Sequence, residues 1–459
     1  RCDAQRAVGG ALIARRQWLL GCASAAFASM AMQGAWARGR VPIGGRVSMK
    51  LPHDTSHVDP HDLSDPMAAL VGHALFDTVY ALDAGGSTYP ALADGMPRRE
   101  GRLTRVWLRE GLRSARGHTI DARDLAASIE RARKAGAVAV LAEVPVPSVE
   151  KGNARVAVFR DVEPGVIVAA LCSPVCAVVP RGFVPSLPDG TGAFKAATSA
   201  DRLVLTRNRN AARGASFLEE IVIQRAADLI DPIRAFEARS ADLGWLGSYV
   251  HQPRPGAVPF DLGAAAWVVL RTGNEAGEWG ANGVAQRLID AIPPTRLAHL
   301  ALGRLPEPSG SPAWGGPPCD LLVCSASSHL IEIARTLAAI LSAPGHEVTA
   351  APLAATELVR RRKSGAYSMM IDVVRPVGPP GVATLLALAT ADQGAGAKAI
   401  ARRPPRLGSY APRILARTMR LGVVGELRVT GSAVGSLRLA AARDGSGWDL
   451  GASWRPASP

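Results

Sequence analysis

Between Gly190 and Trp245 the chain sets out, in a fixed order, a turn, two alternating segments, a helical repeat and a short apolar run. Asp189-Gly190-Thr191-Gly192-Ala193-Phe194 is the turn. Leu203 to Asn208 and Phe217 to Ile223 alternate apolar and polar side chains with period two, the pattern of half-buried strands. Leu229, Ile233 and Phe236 then fall at helical spacing across Pro232 to Ala238, and Leu243-Gly244-Trp245 reads as a strand. A second run begins with a strand over Leu321 to Cys324 and a helix over Leu330 to Leu341. It continues with a strand from Gly345, a helix over Thr356 to Ser364 and a strand over Gly365 to Asp372. Strand, helix, strand, helix, strand predicts a parallel sheet with right-handed crossovers. The fold class is therefore α/β, and 459 residues exceed one typical core, so at least two are expected.

Composition narrows the function classes. Apolar residues make up 48% and charged ones 20%, the balance of a globular protein rather than a disordered one. The net charge of +14 comes mostly from arginine. Those arginines form no long basic block and aromatic residues are only 5%, so a scattered, solvated charge is expected and no nucleic-acid partner. No glycine-x-serine-x-glycine elbow and no phosphate loop is present, and Lys195 stands where a dinucleotide fingerprint needs its third glycine. Serine, histidine and aspartate occur, but nothing in the sequence orders them into a triad. Cys172 and Cys176, four apart, fit a bridge in an oxidising compartment. Cys319 and Cys324, at opposite ends of a strand, are too far apart to bond each other. Neither pair has zinc-knuckle spacing.

Arg15-Arg16 directly precede an apolar run that reaches Ala31, and Ala35-Trp36-Ala37 ends it with a small-x-small pattern. This layout predicts a cleaved export signal over residues 1–37, of the twin-arginine type, and hence a periplasmic protein. The run is rich in alanine, serine and glycine, too weakly apolar for a membrane span. Leu19-Leu20-Gly21-Cys22 has the outline of a lipobox, but too few apolar residues separate it from the arginines for lipidation to be expected.

Several further segments extend the pattern over nearly the whole chain. They include Arg46 to Leu51 as a first strand, a helix from Ala68 to Tyr80 ending Leu75-Phe76-Asp77-Thr78-Val79-Tyr80, and Tyr89 to Gly95. Leu103 to Leu108 is a strand, and Gly117 to Asp124 leads to a helix over Leu125 to Lys134 capped by Asp121 or Asp124. With the Gly190–Phe194 turn, Asn208 and the Leu218-Glu219-Glu220-Ile221 strand, these resemble the family-five solute-binding proteins of ABC importers, the oligopeptide-, dipeptide- and nickel-binding group. The resemblance covers residues 46–452. Ala193 replaces the usual proline, His118 an aspartate-glycine turn, and Arg239-Ser240 a common glycine.

That resemblance implies a two-lobe periplasmic-binding-protein-like fold of type II, with an enlarged first lobe and a hinge. Residues 38–262 would form the first part of lobe I, 263–404 lobe II, and 405–459 a return to lobe I. It also implies a monomer without cofactor or catalysis that carries a peptide or other small polar ligand to ABC permease subunits. The alternatives are a Tat-exported periplasmic enzyme or a metal-binding protein.

Candidate ligand contacts follow from the same resemblance. Asp59 lies in an aspartate-proline loop after the first strand. His53, His57 and His61, interleaved with aspartates, suggest metal, but Pro52 and Pro60 break the helix that would align them, and no metal site is expected. Aromatic cleft walls are sought at Trp245, ending its strand, and at Trp267, where the chain crosses between lobes. In peptide-binding relatives an aspartate just past the Tyr367–Asp372 strand pairs with the ligand's amino terminus. Here Asp372 comes slightly early and Arg375 or Pro376 occupies the acidic position, which favours a carboxylate or another anion.

Overall fold

The computed structural model describes residues 43–83, 86–245, 254–300, 302, 312–377, 412–442 and 447–456. The expected export signal over 1–37 lies outside the described residues, as do the prolines at 253 and 306. From Ile43 onward the chain is one compact unit.

Strand β1 (Arg46–Leu51) leads through a long loop to helix α1 (Pro66–Leu75), then to the hairpin β2 (Tyr80–Leu82) and β3 (Thr88–Pro90). An antiparallel layer follows: β4 (Arg98–Glu100), β5 (Leu103–Trp107), β6 (Ser148–Glu150) and β7 (Asn153–Arg160). Helix α2 (Ala122–Ala135) packs on it, started by a capping box in which Asp121 and Asp124 satisfy each other's backbone N–H groups. Helix α3 (Pro164–Leu171) precedes β8 (Phe194–Thr198), β9 (Arg202–Arg207), β10 (Glu220–Arg225), α4 (Asp231–Glu237) and β11 (Leu243–Trp245). Next come β12 (Ala257–Thr272), α5 (Val284–Asp290) and α6 (Pro294–Leu297). The second half contains β13 (Cys319–Cys324), α7 (Ser328–Leu341), β14 (Val348–Leu353), α8 (Ala355–Ser364) and β15 (Met369–Val374). The tail supplies α9 (Pro412–Ala416), β16 (Leu421–Val434) and the hairpin β17 (Arg438–Ala441) and β18 (Trp448–Trp454).

Ten strands form one sheet in the order β14-β13-β15-β12-β16-β11-β1-β10-β9-β8. The expected parallel set is present, with β13 parallel to both β14 and β15. At the other end β1 runs parallel to β10 and β11. Only β12 and β16, at 16 and 14 residues, extend through both sets. Their outer halves pair at Ala257–Val434 and their inner halves at Arg271–Leu421. The chain therefore passes between the two halves of the sheet twice, once in each long strand.

One local reading is corrected. The helix expected to run to Tyr80 stops at Leu75, because the following carbonyls are claimed elsewhere: Asp77 O accepts from Val178 and Val79 O from Ala91 and Leu92. The crossing strand that carries Trp267 begins ten residues before it, at Ala257. Pro259 is tolerated there because the outer half of β12 is paired on one side only. The tail strand β16 lies between β12 and β11 and is buried along nearly its whole length. Among the described residues no helix is long and apolar enough to cross a membrane.

Candidate functional site

The register of the long strands decides where a site can form. Trp267, in the middle of β12, lies opposite Val374, the last residue of β15, and opposite Glu426 of β16. From the other side Trp245, the last residue of β11, lies opposite Gly431 of β16. The parallel strands of both halves thus aim their carboxyl ends at the same middle stretch. The crevice outside strand carboxyl ends is where open α/β sheets bind ligands.

The β1–α1 loop, residues 52–65, fills much of this junction and ties the halves together. His53 Nδ1 is 3.0 Å from Ser327 Oγ, whose own proton goes to Pro52 O at 3.2 Å. Ser64 Oγ donates to Asp372 Oδ2 at 3.1 Å, and Arg375 N donates to Leu63 O at 3.0 Å. Asp372 also holds Arg271 Nε and Arg362 Nε, each at 2.9 Å, and all three groups are buried or nearly so. Arg362 Nη1 extends the cluster to Asp62 at 3.6 Å. Asp62, Asp372, Arg271 and Arg362 thus answer one another's charges across the seam.

Arg375 differs. It is 3% exposed, and its Nη1 donates to the carbonyls of Pro60 at 3.0 Å and Asp62 at 3.1 Å, yet its Nε has no partner. Burial pulls its pKa below the usual arginine range, and Asp65, Asp62 and Asp59 oppose that only through space. The guanidinium lines a cavity of about 350 Å³ whose other walls come from the end of α1, the glycine turn, residues 213–217 and the β17–β18 hairpin.

Close packing builds those walls. A Cβ on Gly192 would lie 2.5 Å from the carbonyl carbon of Leu75, so only glycine lets the turn reach the end of α1. Gly192 N donates to Leu75 O at 3.0 Å, and Asn208 Nδ2 to Gly192 O at 2.8 Å. This fixes Asp77 at the cavity, where Thr191 Oγ1 donates to it at 2.9 Å and Arg213 Nη1 stands 3.7 Å away. Burial pushes the Asp77 carboxyl up, against Arg213 and Thr191. His73 and Asp449 complete the polar lining.

Of the five residues chosen from sequence, Arg375 alone is in this lining. Asp372 lines a tight space of about 50 Å³ in the seam, beside Asp54, His57 and Asp62. Asp59 is engaged by Arg131, with both contacts at 2.6 Å; burial would raise its pKa, but the guanidinium holds it below the usual range. Trp245 is 1% exposed, donates Nε1 to Arg428 O at 3.1 Å, and packs edge-on against His53 and His329. Trp267 is buried in an apolar cluster with Val269, Val374 and Leu421. Asp77, Arg213, His73 and Asp449 were not singled out. Asp77 had a signal, as the acidic residue in Leu75–Tyr80, whereas Arg213 comes from a loop with no pattern of its own and Asp449 from the start of β18.

The three loop histidines go to different partners. His53 faces Ser327, and burial followed by His329 lowers its pKa. His57 pairs with Asp54, which raises it to about 9. His61 donates Nε2 to Ala177 O at 2.8 Å, and burial lowers it to about 4. Among the described residues no three His, Cys, Asp or Glu side chains converge for a metal. Ser114 and His118 do meet at Asp189, but both bond the same carboxylate oxygen, at 2.7 and 2.9 Å. That arrangement secures the turn around His118 instead of aiming a base at the hydroxyl. Cys172, Cys176, Cys319 and Cys324 are free thiols.

No protein-family model matches the sequence, and no curated protein is recognisably similar to it. Solved structures are similar. The oligopeptide-binding protein AppA of Bacillus subtilis, in complex with a nonapeptide, superposes with a TM-score of 0.67 at 13% identity, covering 91% of this chain and 100% of that one. The ABC transporter-associated periplasmic binding protein DppA of Helicobacter pylori, with the peptide STSA, gives 0.66 at 13% over 91% and 99%. NikA of Staphylococcus aureus, with Ni(L-His)2, gives 0.63 at 12% over 89% and 100%. At this identity the likeness speaks to architecture, and the architecture of this chain is the mixed α/β, two-lobe fold of the periplasmic binding proteins.

Proposed function

We propose that this chain is an extracytoplasmic solute-binding protein that takes up a small ligand between the two halves of its sheet and hands it to the membrane subunits of an ABC importer. The observation that carries the reading is Arg375. It is a buried cation, delivered from the carboxyl end of β15 in the second half into a cavity walled by the first, and no carboxylate of the described residues is paired with it. A protein that desolvates a charge without a partner needs a ligand group to complete it. The group that fits a guanidinium is a carboxylate or a similar planar anion. Solved proteins of this fold bind ligands as different as a nonapeptide, Ni(L-His)2 and agropinic acid, which leaves the scaffold free to serve an anionic solute.

In this reading residues 38–262 and 405–459 form one lobe and 263–404 the other, with hinge motion in the central stretches of β12 and β16. Register shifts lie there between Asp261 and Ala264, Ala264 and Ala266, and Val268 and Val269. Residues 1–37 act as a twin-arginine export signal, the mature protein is a periplasmic monomer, and it makes or breaks no bond. Closure exchanges ligand hydration for cavity contacts, and the permease reads the closed form.

The test is a thermal-shift panel of peptides, organic anions and nickel chelates on the purified protein. A ligand present at about 100 times its Kd adds about 2.7 kcal/mol to the folded state and raises the melting temperature by several degrees. A panel in which anionic members raise it and neutral analogues do not supports the reading. No shift with any member, together with turnover of one of them, would replace it with an enzyme.

A further inference from the structure

A second cavity of about 310 Å³ adjoins the one at Arg375, and Leu82 and Cys172 line both. The lining changes character there. The first cavity presents Arg213, Asp77, Asp449 and Arg375; the second, between the β2–β3 hairpin and α3, has no charged side chain at all. Met96 lines it while 45% exposed, a large apolar side chain left open to solvent. Helix α3 buries Ile167, Ala170 and Leu171 in the core and sets Gly165, Val168 and Ala169 along the cavity, Gly165 and Ala169 on its exposed rim. A Cβ on Gly165 would meet nothing within 4 Å, so a larger side chain fits there.

A charged chamber beside an apolar one matches a ligand with two chemically different ends. Resting on the binding reading above, we propose that the solute is amphipathic: an anionic group faces Arg375, and an apolar chain passes Leu82 and Cys172 into the second cavity. Charge places the ligand, and chain length sets how tightly it is held.

The experiment titrates N-acetylglycine, N-hexanoylglycine and N-decanoylglycine into the wild-type protein and into Gly165→Phe, which fills the open space at α3. In the wild type the dissociation constant falls by about fourfold for each methylene that enters the apolar chamber. In Gly165→Phe the dependence on chain length is flattened. A readout that needs no variant is alkylation of Cys172, whose half-buried thiol burial pushes up to about 11. N-decanoylglycine slows its reaction with N-ethylmaleimide at alkaline pH, and N-acetylglycine does not. Equal affinities for all three acids, or a Gly165→Phe series as steep as the wild type's, overturns the proposal. Failure of all three to bind overturns it as well, and the wider ligand panel then decides separately whether the chain binds a solute.

Discussion

Asp372 and Arg375 stand three residues apart at the end of one strand, and the protein treats their charges in opposite ways. Around Asp372 it gathers Arg271, Arg362 and Ser64, so the carboxylate is answered from both halves of the molecule. Around Arg375 it supplies backbone carbonyls and leaves one donor without a partner. The first arrangement is closed and can only hold the halves in register. The second borders a cavity and, on the proposed reading, is completed by a ligand. Buried charge is thus a sign of function here only where the protein has not paired it.

Breaking the closed side has the largest expected effect. Asp372→Ala leaves Arg271 and Arg362 buried without their carboxylate, at a cost of about 3–5 kcal/mol. Urea unfolding measures it, and a loss below about 1 kcal/mol would mean that the cluster is solvated and the contrast false. Arg375→Gln acts on the open side: an N–H donor remains for the carbonyls of Pro60 and Asp62 while the charge is gone. Affinity for an anionic ligand should fall by about 10- to 100-fold with little change in the urea midpoint. If the midpoint collapses and affinity does not, the two residues are alike after all.

Smaller effects sharpen the contrast. Gly192→Ala drives a methyl group into the carbonyl of Leu75, so the turn must shift, at about 1–3 kcal/mol, and the Asp77 wall of the cavity shifts with it. A variant as stable as the wild type would show that the turn does not set that wall. The smallest effect is on pH. Burial holds His329 at about 4 and lowers His53 as well, so both stay neutral while the unfolded chain takes up protons below about 6.5. The unfolded state then binds more protons, and stability falls as pH drops from about 6.5 toward 4. His57, raised to about 9 by Asp54, works on the other side: its contribution is whole below about 6.5 and is lost as pH rises through 9. Denaturation midpoints should therefore peak near neutrality. His329→Gln should flatten the acid limb and His57→Gln the alkaline one; curves parallel to the wild type would refute both assignments.

The sheet was legible in the sequence because period two and helical spacing are local. The Leu203–Asn208 alternation, the Asp121–Asp124 cap of α2 and the parallel β13–β15 order need no distant partner. The outer half of β12 was hidden by Pro259, whose acceptance depends on which side of the strand is paired. Arg362 sits among four consecutive basic residues near the end of α8, yet it turns inward to Asp372, while Arg360 and Arg361 pair with Glu357. Charge and helical position were the same for all three, and only the opposing strand separates them. Arg375 was found because an arginine stood where an acid was expected. Arg213, in a loop, and Asp449, at the start of β18, come from parts far apart in the chain and had no such frame.

The most direct test is native mass spectrometry of the wild-type protein and Arg375→Gln, each incubated with the anionic ligand that gives the largest thermal shift. The account predicts a one-to-one adduct on the wild type that is largely absent from a folded Arg375→Gln protein. Equal adducts on both, or none on a wild type that nonetheless melts higher, would contradict a solute held at that guanidinium.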